Sequence, residues 1–315
     1  MRVAELPPPH PRTPAPLVGY ACIALAAVLW GTLGPAARFA LGAGVEPLEL
    51  GFWRALLGGV LFGAHAAVRG RVRVATRDLP VVGLFALLGV SLFYVSYFRA
   101  VRAGGAALAA ILLYTAPAWV ALASAIWLGE RITARTGMAL AATLGGVALV
   151  ALASGAPGAD GAVRIGASAL GWGLLAGLAY AGYYLFGKRY FARYEAPTLF
   201  LYALPAGALA LLPGVRFAAS GASTWAVIGF IAVVPTYLAY LVYSVGLRRV
   251  EATRAATVAT LEPVVAAALA YAVWGEALRP LGYAGAFLVL AGVLAVTMPP
   301  RAREGRLMRA PMPKE

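Results

Sequence analysis

Charge is scarce in this sequence: of its 315 residues only 12% are Asp, Glu, Lys or Arg, about half the share of a soluble chain. There is one cysteine, Cys22. It falls within an apolar run, so an intrachain disulfide is excluded. Two histidines occur, His10 in a proline-rich tail and His65 near a helix end, and the two aspartates, Asp78 and Asp160, both fall in connections. With no HExxH and no Ser-His pair available inside an apolar run, an intramembrane hydrolase lacks its parts. No GxxxxGK[ST] is present, so ATP does not drive the protein directly. Nothing clusters as a metal site, and no metal or cofactor is expected.

What the chain has instead is apolar length, with 62% of its residues hydrophobic. Runs of about 20 residues recur throughout, each long enough at 1.5 Å per residue to cross about 30 Å of hydrocarbon. They lie near 17–37, 48–68, 80–98, 105–128 and 134–154, then near 166–187, 196–214, 224–246, 253–274 and 280–298. The reading is an all-α polytopic membrane protein of about ten transmembrane helices, with the lipid bilayer as its solvent. Residues 1–16, rich in proline, read as a disordered tail, and the basic stretch 299–315 as a second tail. The first run is too long for a signal peptide and has a partner later in the chain, so it reads as a membrane helix.

The net charge of +14 would suggest nucleic acid in a soluble protein. Here the basic residues flank the apolar runs, and orientation accounts for them without a nucleic-acid partner. If the N-terminus is cytoplasmic, nineteen Lys and Arg fall on that side and six on the other, with Arg54 inside a span. The expectation is a multi-pass protein of the cell inner (cytoplasmic) membrane with both termini cytoplasmic.

An internal repeat organises the chain. Sliding the sequence by 146 residues aligns Tyr94 with Tyr240, Tyr97 with Tyr243, Arg102 with Arg248, Pro117 with Pro263, Gly129 and Glu130 with Gly275 and Glu276, and Gly146 with Gly292. A shift of 150 brings Arg38 onto Lys188 and Pro47 onto Pro197. Five helices per unit is odd, so the second unit enters from the opposite side: residues 17–154 and 166–298 are expected to form two inverted five-helix repeats, joined by a linker at 155–165.

Four stretches then carry a resemblance: WGTLGPAARFA at 30–40, FWRALLGGVLF at 52–62, YTAPAWVALASAIWLGERIT at 114–133 and TLEPVVAAALAYAVWGEAL at 260–278. Together they resemble the EamA-like group of the drug/metabolite transporter superfamily over about residues 17–298. The resemblance implies export or exchange of small metabolites, often amino acids or their analogues, through a central cavity between the halves. One departure is that Ala277 stands where Arg131 stands in the first half.

Candidate residues follow from what a hydrocarbon interior penalises. Glu262 is the only acidic residue well inside a span, and a carboxylate there costs about 2.5–3.5 kcal/mol, so it must face protein or water. It reads as a proton or amine site, or as a structural carboxylate bonded to a neighbouring helix. Pro263, Pro117 and Pro235 each remove an amide and orphan the carbonyls of Ala259, Leu113 and Ile231. Interrupted helices at matching positions in two halves point to a transport site. Thr253, Thr257 and Thr260 form a polar stripe roughly opposite Glu262 on an ideal helix. Arg54 is a possible gate or anion contact, with pairing to Glu49 or snorkelling as the bland reading. Trp30, Tyr94, Tyr114, Tyr180, Tyr183, Tyr237 and Tyr240 complete the substrate-cavity set, with Pro117, Thr257, Glu262 and Pro263. Arg38 and Lys188 read as helix-end anchors, and Glu130 and Glu276 as capping or salt-bridging groups. The GxxxG pairs at 59/63 and 173/177 read as internal packing and leave the oligomeric state open.

The function expected is a secondary transporter exporting or exchanging small organic metabolites by alternating access, with proton coupling through Glu262 as an open option. The alternative from another class is a scaffold or sensor that binds a lipid or metabolite without moving it.

Overall fold

A computed structural model describes residues 16–153, 166–275 and 277–298. The expectations placed on the N-terminal tail, the linker, the basic C-terminal tail, Asp160 and Glu276 lie outside the described residues. Ten helices long and apolar enough to cross a membrane follow one another: α1 (Pro16–Gly42), α2 (Pro47–Val68), α3 (Thr76–Gly104), α4 (Leu108–Leu128), α5 (Ala134–Ala153), α6 (Ala167–Tyr190), α7 (Ala196–Gly214), α8 (Ala222–Leu247), α9 (Ala252–Trp274) and α10 (Pro280–Thr297). Among the described residues there is no strand. Large apolar side chains such as Leu25, Val60, Leu122 and Phe287 point outward, where lipid would meet them. We call the face holding Pro16 and Thr297 the terminal face and the opposite one the far face.

Local sequence decides where these helices break. α1 is interrupted at Thr32, between Pro16–Gly31 and Leu33–Gly42. Pro35 has no amide for the Gly31 carbonyl, and the Thr32 hydroxyl donates to the Leu29 carbonyl at 2.7 Å. Near Pro117 the chain forms two segments, Ala106–Leu113 and Ala116–Ala123. Near Pro263 it forms Ala252–Ala259 and Glu262–Trp274. In each break a threonine hydroxyl takes up a carbonyl, Thr115 donating to Leu112 and Thr260 to Thr257, both at 2.6 Å. α3 and α8 carry π-helical turns at Ala86–Leu92 and Val233–Leu238, positions that correspond under the 146-residue shift.

Both members of the Gly-Glu repeat sit at a helix end where glycine is needed: Gly129 and Gly275 have φ of 67° and 69°, the left-handed region that closes a helix cheaply only without a Cβ. The turn at Gly129 delivers Glu130 to the start of α9. There its carboxylate accepts from the Ala252 and Thr253 amides at 2.7 and 3.1 Å and from the Thr253 hydroxyl at 2.9 Å. Glu130 is therefore a helix cap, stabilising orphan amides by about 1 kcal/mol. Glycine also sets helix approach. A Cβ on Gly59 would stand 2.5 Å from Pro205 of α7, and one on Gly146 of α5 would stand 2.6 Å from the Gly285 carbonyl oxygen of α10.

Candidate functional site

The breaks in α4 and α9 meet at mid-depth, where the second half of α9 begins with Glu262 in its first turn and Pro263 just behind it. A helix N-terminus carries a positive partial charge, which suits a carboxylate at this position. Glu262 is half-buried, and Tyr114 of α4 lies in its polar neighbourhood. Tyr97, Tyr180, Tyr184 and Tyr240 lie in its electrostatic neighbourhood.

The opposing charge comes from α2. Arg54, only 7% exposed, donates from Nε to the Thr236 hydroxyl at 2.8 Å and from Nη2 to the Pro235 carbonyl at 3.3 Å. The carbonyl that Pro235 orphans, that of Ile231, is taken up by the Thr236 hydroxyl at 2.8 Å. Arg54 is thus anchored to the π-helical turn of α8. Its guanidinium carbon lies 6.0 Å from the ring centroids of both Tyr94 and Tyr240, the limit at which a cation is still attracted to a ring face. Glu262 is within its electrostatic range. Glu49 is not its partner, because that carboxylate accepts from Trp53 Nε1 at 3.3 Å and from the Ala218 amide at 3.1 Å.

Below the two charges the rings close ranks. Trp30 is 3% exposed and meets Tyr183, Tyr240 and Tyr243 at centroid distances of 6.5, 5.9 and 5.1 Å. The hydroxyls of Tyr183 and Tyr243 are buried without a hydrogen-bond partner, a cost of about 1–3 kcal/mol for each such group.

The structure thus brings together Trp30, Arg54, Tyr94, Tyr114, Tyr180, Tyr183, Tyr240 and Glu262, with Pro117 and Pro263 at the helix breaks. Two expected members are elsewhere. Thr257 is fully buried and spends its hydroxyl on the Thr253 carbonyl at 2.8 Å, the back-bonding typical of threonine inside a helix. Tyr237 is turned towards α2, its hydroxyl 2.7 Å from His65 Nδ1 and its ring against Phe62. Tyr184 belongs to the helix-six patch with Tyr180 and Tyr183 that the sequence offered as cavity lining, and Tyr97, for which an interfacial-belt position was an equal reading, is also beside the carboxylate. Sequence reasoning left out Thr236, which no signal marked. A separate apolar crevice of about 440 Å³, lined by Pro35, Phe39, Phe230 and Val273 among others, lies between α1, α8 and α9 and carries no charged side chain. Among the described residues no group of His, Cys, Asp and Glu is placed to hold a metal.

Burial differs between the two faces. Glu262–Trp274, the far-face half of α9, has no buried residue, whereas its counterpart in α4, Ala116–Ala123, buries Ala116, Pro117, Val120 and Ala121. The terminal-face half of α9 is almost wholly buried, while Ala106, Ala110 and Ile111 at the equivalent positions of α4 are exposed or half-buried. Tyr243 is 0% exposed and its counterpart Tyr97 is half-buried. The helix halves that meet at the site are packed more tightly towards the terminal face than towards the far face. Polar ties add to the terminal-face packing: Arg71 pairs with Glu195 at 2.8 Å, and the Tyr194 hydroxyl donates to Asp78 at 2.6 Å.

A ten-helix protein of two like halves, with broken helices meeting beside a buried arginine and a carboxylate, has the architecture of a membrane transporter. The EamA-like transporter family matches residues 17–152 and again 167–298, and the chain belongs to that family. An uncharacterized transporter of Archaeoglobus fulgidus is 32% identical over 88% of this chain and 95% of its own. A probable terminal-alkyne amino-acid exporter of Streptantibioticus cattleyicolor is 29% identical over 92% of this chain and 96% of its own. A protein of known crystal structure, 21% identical, shares the fold with a TM-score of 0.76 over 95% of this chain and 100% of that one. The resemblance read from the four sequence stretches is correct, and so is the all-helical, two-repeat reading.

Proposed function

We propose that the protein is a secondary transporter that exports or exchanges small zwitterionic metabolites of the amino-acid type across the cytoplasmic membrane by alternating access. The observation that carries this reading is a cation and a carboxylate, Arg54 and Glu262, brought into one tyrosine-rich neighbourhood by opposite halves of the chain. A guanidinium matches a carboxylate in geometry and charge. A carboxylate beside tyrosine faces suits an ammonium group. The name of the Streptantibioticus relative, an amino-acid exporter, agrees with that chemistry. The Lys and Arg bias supports a cytoplasmic terminal face, which makes the more loosely packed far face the outer one.

The test is counterflow of labelled amino acids in liposomes. The purified protein is expected to exchange a labelled amino acid against unlabelled amino acid, and not against the matching amine or carboxylic acid alone. Tyr94→Ala and Tyr240→Ala are expected to insert normally and to weaken apparent affinity several-fold, since ring contacts contribute about 0.5–1.5 kcal/mol beyond buried area. Binding without flux would replace the transporter reading with that of a sensor. Unchanged affinity in both variants would make the rings packing residues.

Orientation is checked separately. Single cysteines at Arg135 and Arg279, in a Cys22→Ala background, are expected to react with an impermeant maleimide from the cytoplasmic and the outer side respectively. Labelling of both from one side would overturn the inverted layout.

A further inference from the structure

One side of α2 carries Arg54, Gly58, Phe62 and His65, spaced by four, four and three residues and so aligned along one helix face. The π-helical turn of α8, Val233–Leu238, lies against that face. Three consecutive residues of the turn are engaged in order. Arg54 donates to the Pro235 carbonyl at 3.3 Å and to the Thr236 hydroxyl at 2.8 Å, and the Tyr237 hydroxyl stands 2.7 Å from His65 Nδ1. Between these two ties the helices touch closely. A Cβ on Gly58 would stand 2.9 Å from Thr236 Cγ2, and the fully buried Phe62 ring lies 5.0 Å from that of Tyr237.

A π-helical turn is a rare, wide turn that occurs mostly as a single interruption of an α-helix. Its rotation therefore depends on what holds it from outside. Thr236 and Tyr237 are adjacent on the chain, so a rotation that frees one displaces the other. Eleven residues at 1.5 Å each put His65 about 16 Å along α2 from Arg54, out of reach of a small solute that Arg54 binds.

We propose that His65 is a positioning residue for the anion contact. By holding Tyr237 it fixes the α8 turn at the rotation from which Thr236 and the Pro235 carbonyl aim the Arg54 guanidinium past the rings of Tyr94 and Tyr240. Tyr237, expected to line the cavity, acts instead from behind it. This inference rests on Arg54 as the carboxylate contact of the proposed function.

The experiment reads amino-acid exchange in liposomes, with apparent affinity separated from maximal rate, and backbone hydrogen exchange of the purified protein over residues 233–238. His65→Ala is expected to weaken apparent affinity by roughly three- to tenfold, the weight of one hydrogen bond, at an unchanged maximal rate. It is also expected to speed hydrogen exchange across the turn. Tyr237→Phe keeps the ring against Phe62 and loses only the oxygen, so it gives the same result even if His65→Ala fails to fold. The two together cost no more than either alone, and neither adds to Arg54→Met, because all three act through one contact. His65→Asn places an amide near the position of Nδ1 and is expected to restore both readings.

A lower maximal rate with intact affinity in His65→Ala, or an additive loss of affinity in the Arg54→Met background, overturns the positioning role. Unchanged hydrogen exchange over residues 233–238 overturns it whatever the solute. Wild-type affinity in Arg54→Met and His65→Ala alike, with faster hydrogen exchange in the latter, has a separate meaning. It discards the guanidinium as a substrate contact, and the positioning role falls with it.

Discussion

Glu262→Gln is expected to insert and fold, to exchange substrate when both sides of the membrane are at one pH, and to lose accumulation driven by a pH gradient. Glutamine keeps the size of the side chain and a hydrogen-bond acceptor, and it cannot titrate. One pH unit is worth about 1.4 kcal/mol, so a one-proton carrier can reach about tenfold accumulation. In this variant the ratio is expected to fall to about one. A purely structural carboxylate gives the opposite pattern: coupled transport survives in Glu262→Gln, and Glu262→Leu folds poorly because it removes the acceptor from the polar groups around it. Gradient-driven uptake by Glu262→Gln at the wild-type level would rule out proton coupling through this residue.

Arg54→Met is expected to cost more at the level of affinity. Hydrogen bonds between charged groups are worth about 1.5–3 kcal/mol, so losing the carboxylate partner predicts a roughly ten- to hundredfold weaker amino-acid affinity. The Thr236 hydroxyl keeps its bond to the Ile231 carbonyl without Arg54, and methionine fills the space of the stem, so thermal stability should change little. Arg54→Lys restores charge without the planar fork and is expected to fall between the two. Exchange of amino acid by Arg54→Met with wild-type affinity would show that the guanidinium is a brace for α8 and not a substrate contact.

Much of the architecture could be read in the sequence because the bilayer demands it. Apolar length gives the spans, and an odd repeat gives the inversion. Prolines mark the breaks in α4 and α9. Helix rotation was harder to read. An ideal helix places Tyr237 and Tyr240 on one face, yet Val233–Leu238 is π-helical, and only Tyr240 ends up beside Arg54. Thr257 looked like cavity polarity because a hydroxyl in an apolar run has two outlets, a solute or its own helix, and sequence cannot choose between them. Arg54 was harder still: its neighbours Thr236 and Pro235 are more than 180 residues away, and no local pattern announces such a contact. Glu130 was legible in kind, as a cap, but the helix it caps depends on how α4 and α9 cross.

The two halves match in their breaks, their glycines and several helix-end charges, and differ in the two charges of the site. The 150-residue shift that pairs Arg38 with Lys188 sets Arg54 opposite Leu204, and the 146-residue shift sets Glu262 opposite Ala116. A duplicated scaffold with duplicated charges would offer two equivalent docks related by the pseudo-axis. Here there is one cationic dock and one anionic dock, so the proposed function predicts a single zwitterion per cycle, held in one head-to-tail sense. A mirror-image amino acid can satisfy the same two charges but exchanges the places of its side chain and hydrogen. Under that proposal chiral selectivity falls to the third contact, the one the tyrosine rings make with the side chain.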